Sequence, residues 1–234
     1  MTVIVCIISQ REFGVFRKRI EPVGLVFTDL QAGHYNGEDP EELTGTSIVE
    51  KVDRFRQNIM GYSGMQPEWV MSMHPDLKER LKISGHNFIN NKIYLNAVRA
   101  QAQRMNESFS YVFGHYNWRP TFLWVNQKEE TGVIAEGGQS FARGCGSDSA
   151  EEILASRNLD SYNNCLKAGL LAVQNAIKKN DGCGYGVRCI ELRRRSTKLI
   201  NLKPIEKQNP FDYDEHTRFS DEFYRNQVVI PHFP

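Results

Sequence analysis

The order of elements along this chain predicts an α+β fold, with two antiparallel sheets layered against helices that lie outside them. Three observations carry that reading. Residues 3–8 (Val-Ile-Val-Cys-Ile-Ile) are apolar and β-branched, as a buried strand requires. Residues 90–107 contain neither Gly nor Pro and are rich in helix formers. Residues 160–179 place Leu166, Leu170, Val173 and Ile177 at helical spacing.

Taken in order, residues 3–8 form the first strand. Arg17-Lys18-Arg19 followed by Pro22 is expected to be a solvated turn, and residues 23–30 a second strand, with a break at Gly33. Residues 36–45 are rich in Gly, Asp, Glu and Pro and read as a loop. Residues 48–55 and 59–62 are short strand candidates ending at Ser63-Gly64. Residues 65–82 look helical despite Pro67 and Pro75, and 90–107 is the firmer helix. Strands are then expected at 109–116, 121–125, 132–135 and 140–143. Ser147 is placed to cap a helix over 148–156, with Glu151 on its first turns. A longer helix over 160–179 follows, then strands at 186–192 and 197–202 joined by a solvated Arg193-Arg194-Arg195 turn. The composition changes after Pro204, so the chain divides into a domain over 1–204 and an extended arm over 205–234.

Bulk properties narrow the function. A net charge of +1 leaves no global field to draw nucleic acid or an anionic membrane, so neither partner is expected. The apolar runs fall far short of the roughly 20 residues that span a bilayer. Ser9-Gln10-Arg11-Glu12 ends the opening run too soon for a signal region, and a cytoplasmic location is the default expectation. Five cysteines without a CxxC pair read as reduced thiols. The histidines His34, His74, His86, His115, His216 and His232 lack metal spacing, so neither a metal nor another cofactor is expected. The aromatic segment 109–125 has no matching basic face and reads as a core and subunit-contact hairpin.

The chemistry-bearing candidate is Thr2. Once Met1 is removed, Thr2 carries a hydroxyl and a free α-amine, and that amine titrates at about 7.7–8.0, close enough to neutrality to accept the hydroxyl proton. Several segments accompany it: Gly24-Leu25-Val26-Phe27-Thr28-Asp29, Lys51-Val52, Tyr62-Ser63-Gly64, Gly144-Cys145-Gly146-Ser147 and Asp181-Gly182-Cys183-Gly184-Tyr185-Gly186. Taken singly, each has an ordinary reading: a strand end, a solvated lysine, a helix start, a helix-to-strand turn. In this order they resemble the proteasome β-type subunits, and more loosely the bacterial proteasome-like proteins, of the N-terminal-nucleophile hydrolases. The resemblance runs from Thr2 to about Leu202.

That resemblance implies a four-layer αββα sandwich, with two antiparallel sheets between helix pairs. It also implies the roles. Thr2 is the nucleophile, Lys51 favours its ionised form, and Asp29 holds Lys51. Asp181 orients the amine. Gly64 donates its backbone N–H to the oxyanion, and Tyr62 walls the first specificity pocket. Cys145, Ser147 and Gly184 support the site. The implied partners are a peptide or protein substrate and further copies of the chain, in a ring or helical oligomer. Two positions depart from the pattern, because serines of the family are replaced by Cys145 and Gly184. Roughly eleven extra residues separate Thr2 from Asp29 and about six more separate Asp29 from Lys51, where turns are expected to absorb them cheaply. Two functions therefore stand side by side: a threonine peptidase or amidohydrolase, and a catalytically inactive structural ring subunit of the same fold.

Overall fold

The apolar opening run becomes β1 (Val3–Phe13), and residues 3–8 are buried on both faces because the strand has a layer on each side. The computed structural model describes residues 3–14, 19–36, 39–48, 51–55, 58–64, 109–126, 131–180, 183–184 and 186–200. β2 (Arg19–Asp29) returns antiparallel to β1. β3 (Gln31–Asn36) and β4 (Asp39–Ile48) form a separate two-stranded hairpin. β5 (Val52–Phe55), β6 (Asn58–Gly64), β7 (Phe109–Tyr116), β8 (Pro120–Asn126) and β9 (Thr131–Ile134) pair in sequence order as one antiparallel sheet. After β10 (Ser140–Gly144) come α1 (Ser147–Ala155) and α2 (Tyr162–Lys179), then β11 (Val187–Leu192) and β12 (Thr197–Ile200). The sheet containing β1 has the order β10-β1-β2-β11-β12, antiparallel throughout.

Strand alternation sorts the core into two compartments. Val3, Val5, Ile7, Leu25, Phe27 and Cys189 face α1 and α2 and pack on Leu154, Leu166, Leu170 and Val173. The intervening residues Ile4, Cys6, Ile8, Val26 and Ile190 face the second sheet and meet Val52, Ile59, Val112 and Phe122. The described residues thus form three layers: helices, sheet, sheet. The expected helices over 65–82 and 90–107, which would make the fourth, lie outside the described residues, as does the arm over 205–234.

Glycines set the spacing at two of these contacts. A Cβ at Gly24 would come within 2.5 Å of the Phe122 ring, so the bare backbone of β2 receives a ring from the opposite sheet. Gly169 on α2 is likewise covered by the Phe27 ring, and no Cβ fits there. On the helix face, buried Glu191 accepts from Arg11 Nη1 at 2.6 Å and Arg193 Nη2 at 2.6 Å. The Arg11 guanidinium also lies over Tyr162, with its carbon 4.7 Å from the ring centroid.

Several expectations need correction. Residues 39–45 of the expected loop belong to β4, and the ladder is irregular around His34–Asn36. Arg19–Pro22 is strand, where a turn was expected. Residues 19–23 have β1 alongside but no β11 partner, and an edge tolerates a proline that cannot donate. The extra residues before Asp29 and Lys51 are therefore built largely as paired strands, where turns alone were expected. Ser147 does not cap α1. Gly146 holds the cap position without a side-chain hydrogen bond, because a Cβ there would sit 2.6 Å from Ala176 Cβ. On α2 the capping residue is Ser161, whose hydroxyl accepts from Asn164 N. Arg193 is tied to Glu191, leaving Arg194 and Arg195 exposed.

The Gly169 contact yields a test. Gly169→Ala gains up to about 1 kcal/mol of helix propensity, but it must displace a ring with no free volume, at about 1–3 kcal/mol. A net loss of stability in urea unfolding is expected, with partial recovery when Phe27→Leu is added. Equal or greater stability of Gly169→Ala alone would contradict the packing described.

Candidate functional site

Asp29 ends β2, and its carboxylate is fully buried. A buried carboxylate requires donors, and three elements supply them. Lys51 Nζ, itself 3% exposed, donates to Oδ2 at 2.8 Å. The backbone N–H of Val3, which opens β1, donates to Oδ1 at 2.9 Å. The N–H of Gly184, just ahead of β11, donates to Oδ2 at 3.1 Å. Gly184 O then accepts from Leu30 N at 3.0 Å, locking this turn to the end of β2. Burial pushes the Asp29 carboxyl up from its usual value, while Lys51 and the two amides pull the other way.

Lys51 is positioned by main-chain contact as well as charge. Its carbonyl accepts from Tyr62 N at 3.3 Å, which brings β6 alongside the residue leading into β5. Gly61 lies under tight side-chain cover here, because a Cβ there would be 2.9 Å from Ile4 Cδ1 and 3.1 Å from Val52 Cγ2. Tyr62 is half-buried, and Gly64 is the last residue of β6, paired with Phe109.

On the other side of the site, Cys145 lies in the turn between β10 and α1, and its sulfur is 3.2 Å from that of Cys183. All five cysteines are free; Cys145 is exposed and Cys183 is buried. The hydrogen bond from Cys183 lowers the Cys145 thiol to about 7, against burial and the Asp29 charge and with help from Lys51. The same bond, together with burial, pushes Cys183 up. Ser147, expected to support the site, is the first residue of α1.

Of the residues singled out from the sequence, the structure brings Asp29, Lys51 and Gly184 together, with Tyr62 bonded to the Lys51 backbone. Thr2 and Asp181 lie outside the described residues. The Val3 amide and Cys183 were not anticipated as members of this cluster. Position next to Thr2 was the available signal for Val3; Cys145 and Cys183 are 38 residues apart and carry no spacing signal. Among the described residues there is no group of three or more His, Cys, Asp or Glu suited to a metal. None of the described helices is long and apolar enough to cross a membrane. An open groove of about 710 Å³ lies at the other end of β1, lined by Ser9, Ser140, Glu151 and Asp160 among others. It contains neither Lys51 nor Asp29, and the buried ion pair is the stronger sign of chemistry.

No protein-family model matches the chain, and no curated protein matches it in sequence. Solved structures do match. A Gly-1 mutant of Anbu from Hyphomicrobium sp. strain MC1 superposes with a TM-score of 0.63 at 13% identity, covering 100% of both chains. The similarity is one of fold, and the fold is proteasome-like.

The ion pair sets a pH-dependent prediction. Burial raises the Asp29 pKa above its unfolded value of about 3.9. Its contribution to stability is therefore full below that unfolded value and declines as pH rises through the folded one. Lys51→Met removes the ammonium, moves the folded value further up and extends the decline to higher pH. The variant is expected to lose about 3–5 kcal/mol at neutral pH and markedly less near pH 4, measured by urea unfolding at both. An equal deficit at the two pH values would rule out the charge as the cause.

Proposed function

We propose that the protein is a proteasome-like threonine peptidase or amidohydrolase of the N-terminal-nucleophile type, working in an oligomeric assembly. One observation carries the proposal: the buried Lys51–Asp29 pair is bonded through Asp29 to the Val3 amide. Val3 N is joined covalently to the carbonyl carbon of Thr2, so the residue with the candidate nucleophile is one peptide bond from that hydrogen bond. The proteasome-like fold of the Anbu neighbour supports the same reading. In this proposal a second helix pair completes the four-layer αββα sandwich.

The chemistry follows from the residues. With Met1 removed, the Thr2 α-amine accepts the hydroxyl proton, directly or through a water, and Thr2 Oγ attacks the substrate carbonyl. The Lys51 ammonium stabilises the ionised nucleophile, and Asp29 fixes the lysine. Asp181 orients the amine, while Gly64 N–H meets the oxyanion and Tyr62 bounds the adjoining pocket. The leaving amine takes a proton as the ester forms, and water then releases Thr2. Cys145, Ser147 and Gly184 shape the surroundings.

A second reading is a non-catalytic ring subunit. Gly184 favours it, since this position offers Asp29 an N–H but has no side chain for the amine, and Cys145 is engaged with Cys183. Intact mass separates the two readings: loss of Met1 favours the enzyme, and its retention leaves no free amine on Thr2. The decisive test is an epoxyketone probe, which needs a hydroxyl and an amine on one residue. An adduct on Thr2, abolished by Thr2→Ala, is expected. Asp29→Asn in a folded protein is expected to slow adduct formation by about a hundredfold or more. A demethionylated protein that forms no adduct and cleaves no peptide would leave the scaffold reading in place.

A further inference from the structure

We propose that Cys145 and Cys183 form a reversible oxidation site, in which a peroxide converts the two thiols to a disulfide. The sulfurs are already 3.2 Å apart, and a disulfide needs about 2.05 Å, so closure takes a shift of about 1 Å shared between two turns. Both turns are held in place to meet. Gly146 lets the Cys145 turn approach α2, since a Cβ there would stand 2.6 Å from Ala176 Cβ. Cys183 is anchored by its own N–H, which donates to Asn180 O at 3.0 Å.

The two thiols differ in a way that assigns their parts. Cys145 is exposed and its thiol is lowered to about 7, so it is the sulfur a peroxide reaches and the one poised as thiolate. Cys183 is buried, protonated and in contact with Cys145 alone among the five cysteines, as a resolving thiol must be. In the first step the Cys145 thiolate attacks hydrogen peroxide: the O–O bond breaks, an S–O bond forms, and the departing hydroxide is protonated to water. Cys145 becomes a sulfenic acid, oxidised by two electrons as the peroxide is reduced. Cys183 sulfur then attacks Cys145 Sγ; the S–O bond breaks, the S–S bond forms, and the Cys183 proton leaves with the hydroxide as a second water. Cys6, Cys165 and Cys189 are buried and have no comparable partner sulfur.

Oxidation at this place reaches the ion-pair cluster. Cys183 precedes Gly184, whose N–H donates to Asp29, and the Cys145 charge lies within the field of both Asp29 and Lys51. Closing the disulfide removes that sulfur charge and ties the β10–α1 turn to the turn ahead of β11, whose Gly184 N–H supports Asp29.

The test uses the full chain and needs no catalytic assay, so its outcome is independent of the hydrolase proposal. Reduced protein is treated with hydrogen peroxide, alkylated after unfolding, and examined by intact mass and peptide mapping. An intact mass lower by two alkyl groups than that of the reduced, alkylated protein and a linked 145–183 peptide are expected, both reversed by dithiothreitol. Cys183→Ser should instead leave Cys145 as a sulfenic acid that reacts with dimedone and then over-oxidises. Sulfinic acid accumulating on Cys145 in the unsubstituted protein would overturn the proposal. So would linkage to another cysteine, or five thiols unchanged while a free-cysteine control is consumed.

Discussion

A single buried carboxylate organises this molecule. Asp29 receives one amide from the start of β1, another from the turn ahead of β11, and the ammonium of Lys51 from the approach to β5. Those three donors come from segments far apart in sequence and bind the first sheet to the chain entering the second. Without donors, a carboxylate at that depth costs several kcal/mol, so the three segments must converge for the end of β2 to stay buried.

Such a pair is a poor way to gain stability. Desolvating both charges consumes much of their attraction, and apolar replacements of similar volume often do as well or better. The site lies at the end of a strand whose preceding residues are apolar: Leu25, Val26 and Phe27 are buried and have no polar atom in their side chains. A buried carboxylate whose titration is perturbed by desolvation and by a specific charge partner is a functional-site candidate. The geometry of the pair supports the proposed threonine chemistry.

The legible part of the fold was the part set by local pattern. Residues 3–8 are buried on both faces as their β-branched run requires, and α2 follows the spacing of Leu166, Leu170, Val173 and Ile177. The β7–β8 hairpin turns at Asn117–Arg119, in the gap between the strands expected at 109–116 and 121–125. What failed depended on partners. Residues 39–48 lack strand-like composition, yet β3 pairs with them. Pro22 reads as a breaker until β11 is seen to stop short of it. Ser147 has the chemistry of a cap, but the nearness of Ala176 awards that position to Gly146.

The site was legible for a different reason. No period or propensity links Asp29 to Lys51; their pairing came through resemblance in motif order, and the structure places them at 2.8 Å. Cys145 and Cys183 mark the limit of such reading. The resemblance gave Cys145 as a supporting residue that departs from serine, and nothing in the sequence linked it to Cys183. Their meeting depends on how α1 and α2 pack, and it replaces a hydroxyl at this corner with an ionisable, oxidisable sulfur. The substitution is thus a change of chemistry, and it bears on the carboxylate from the same side as Gly184.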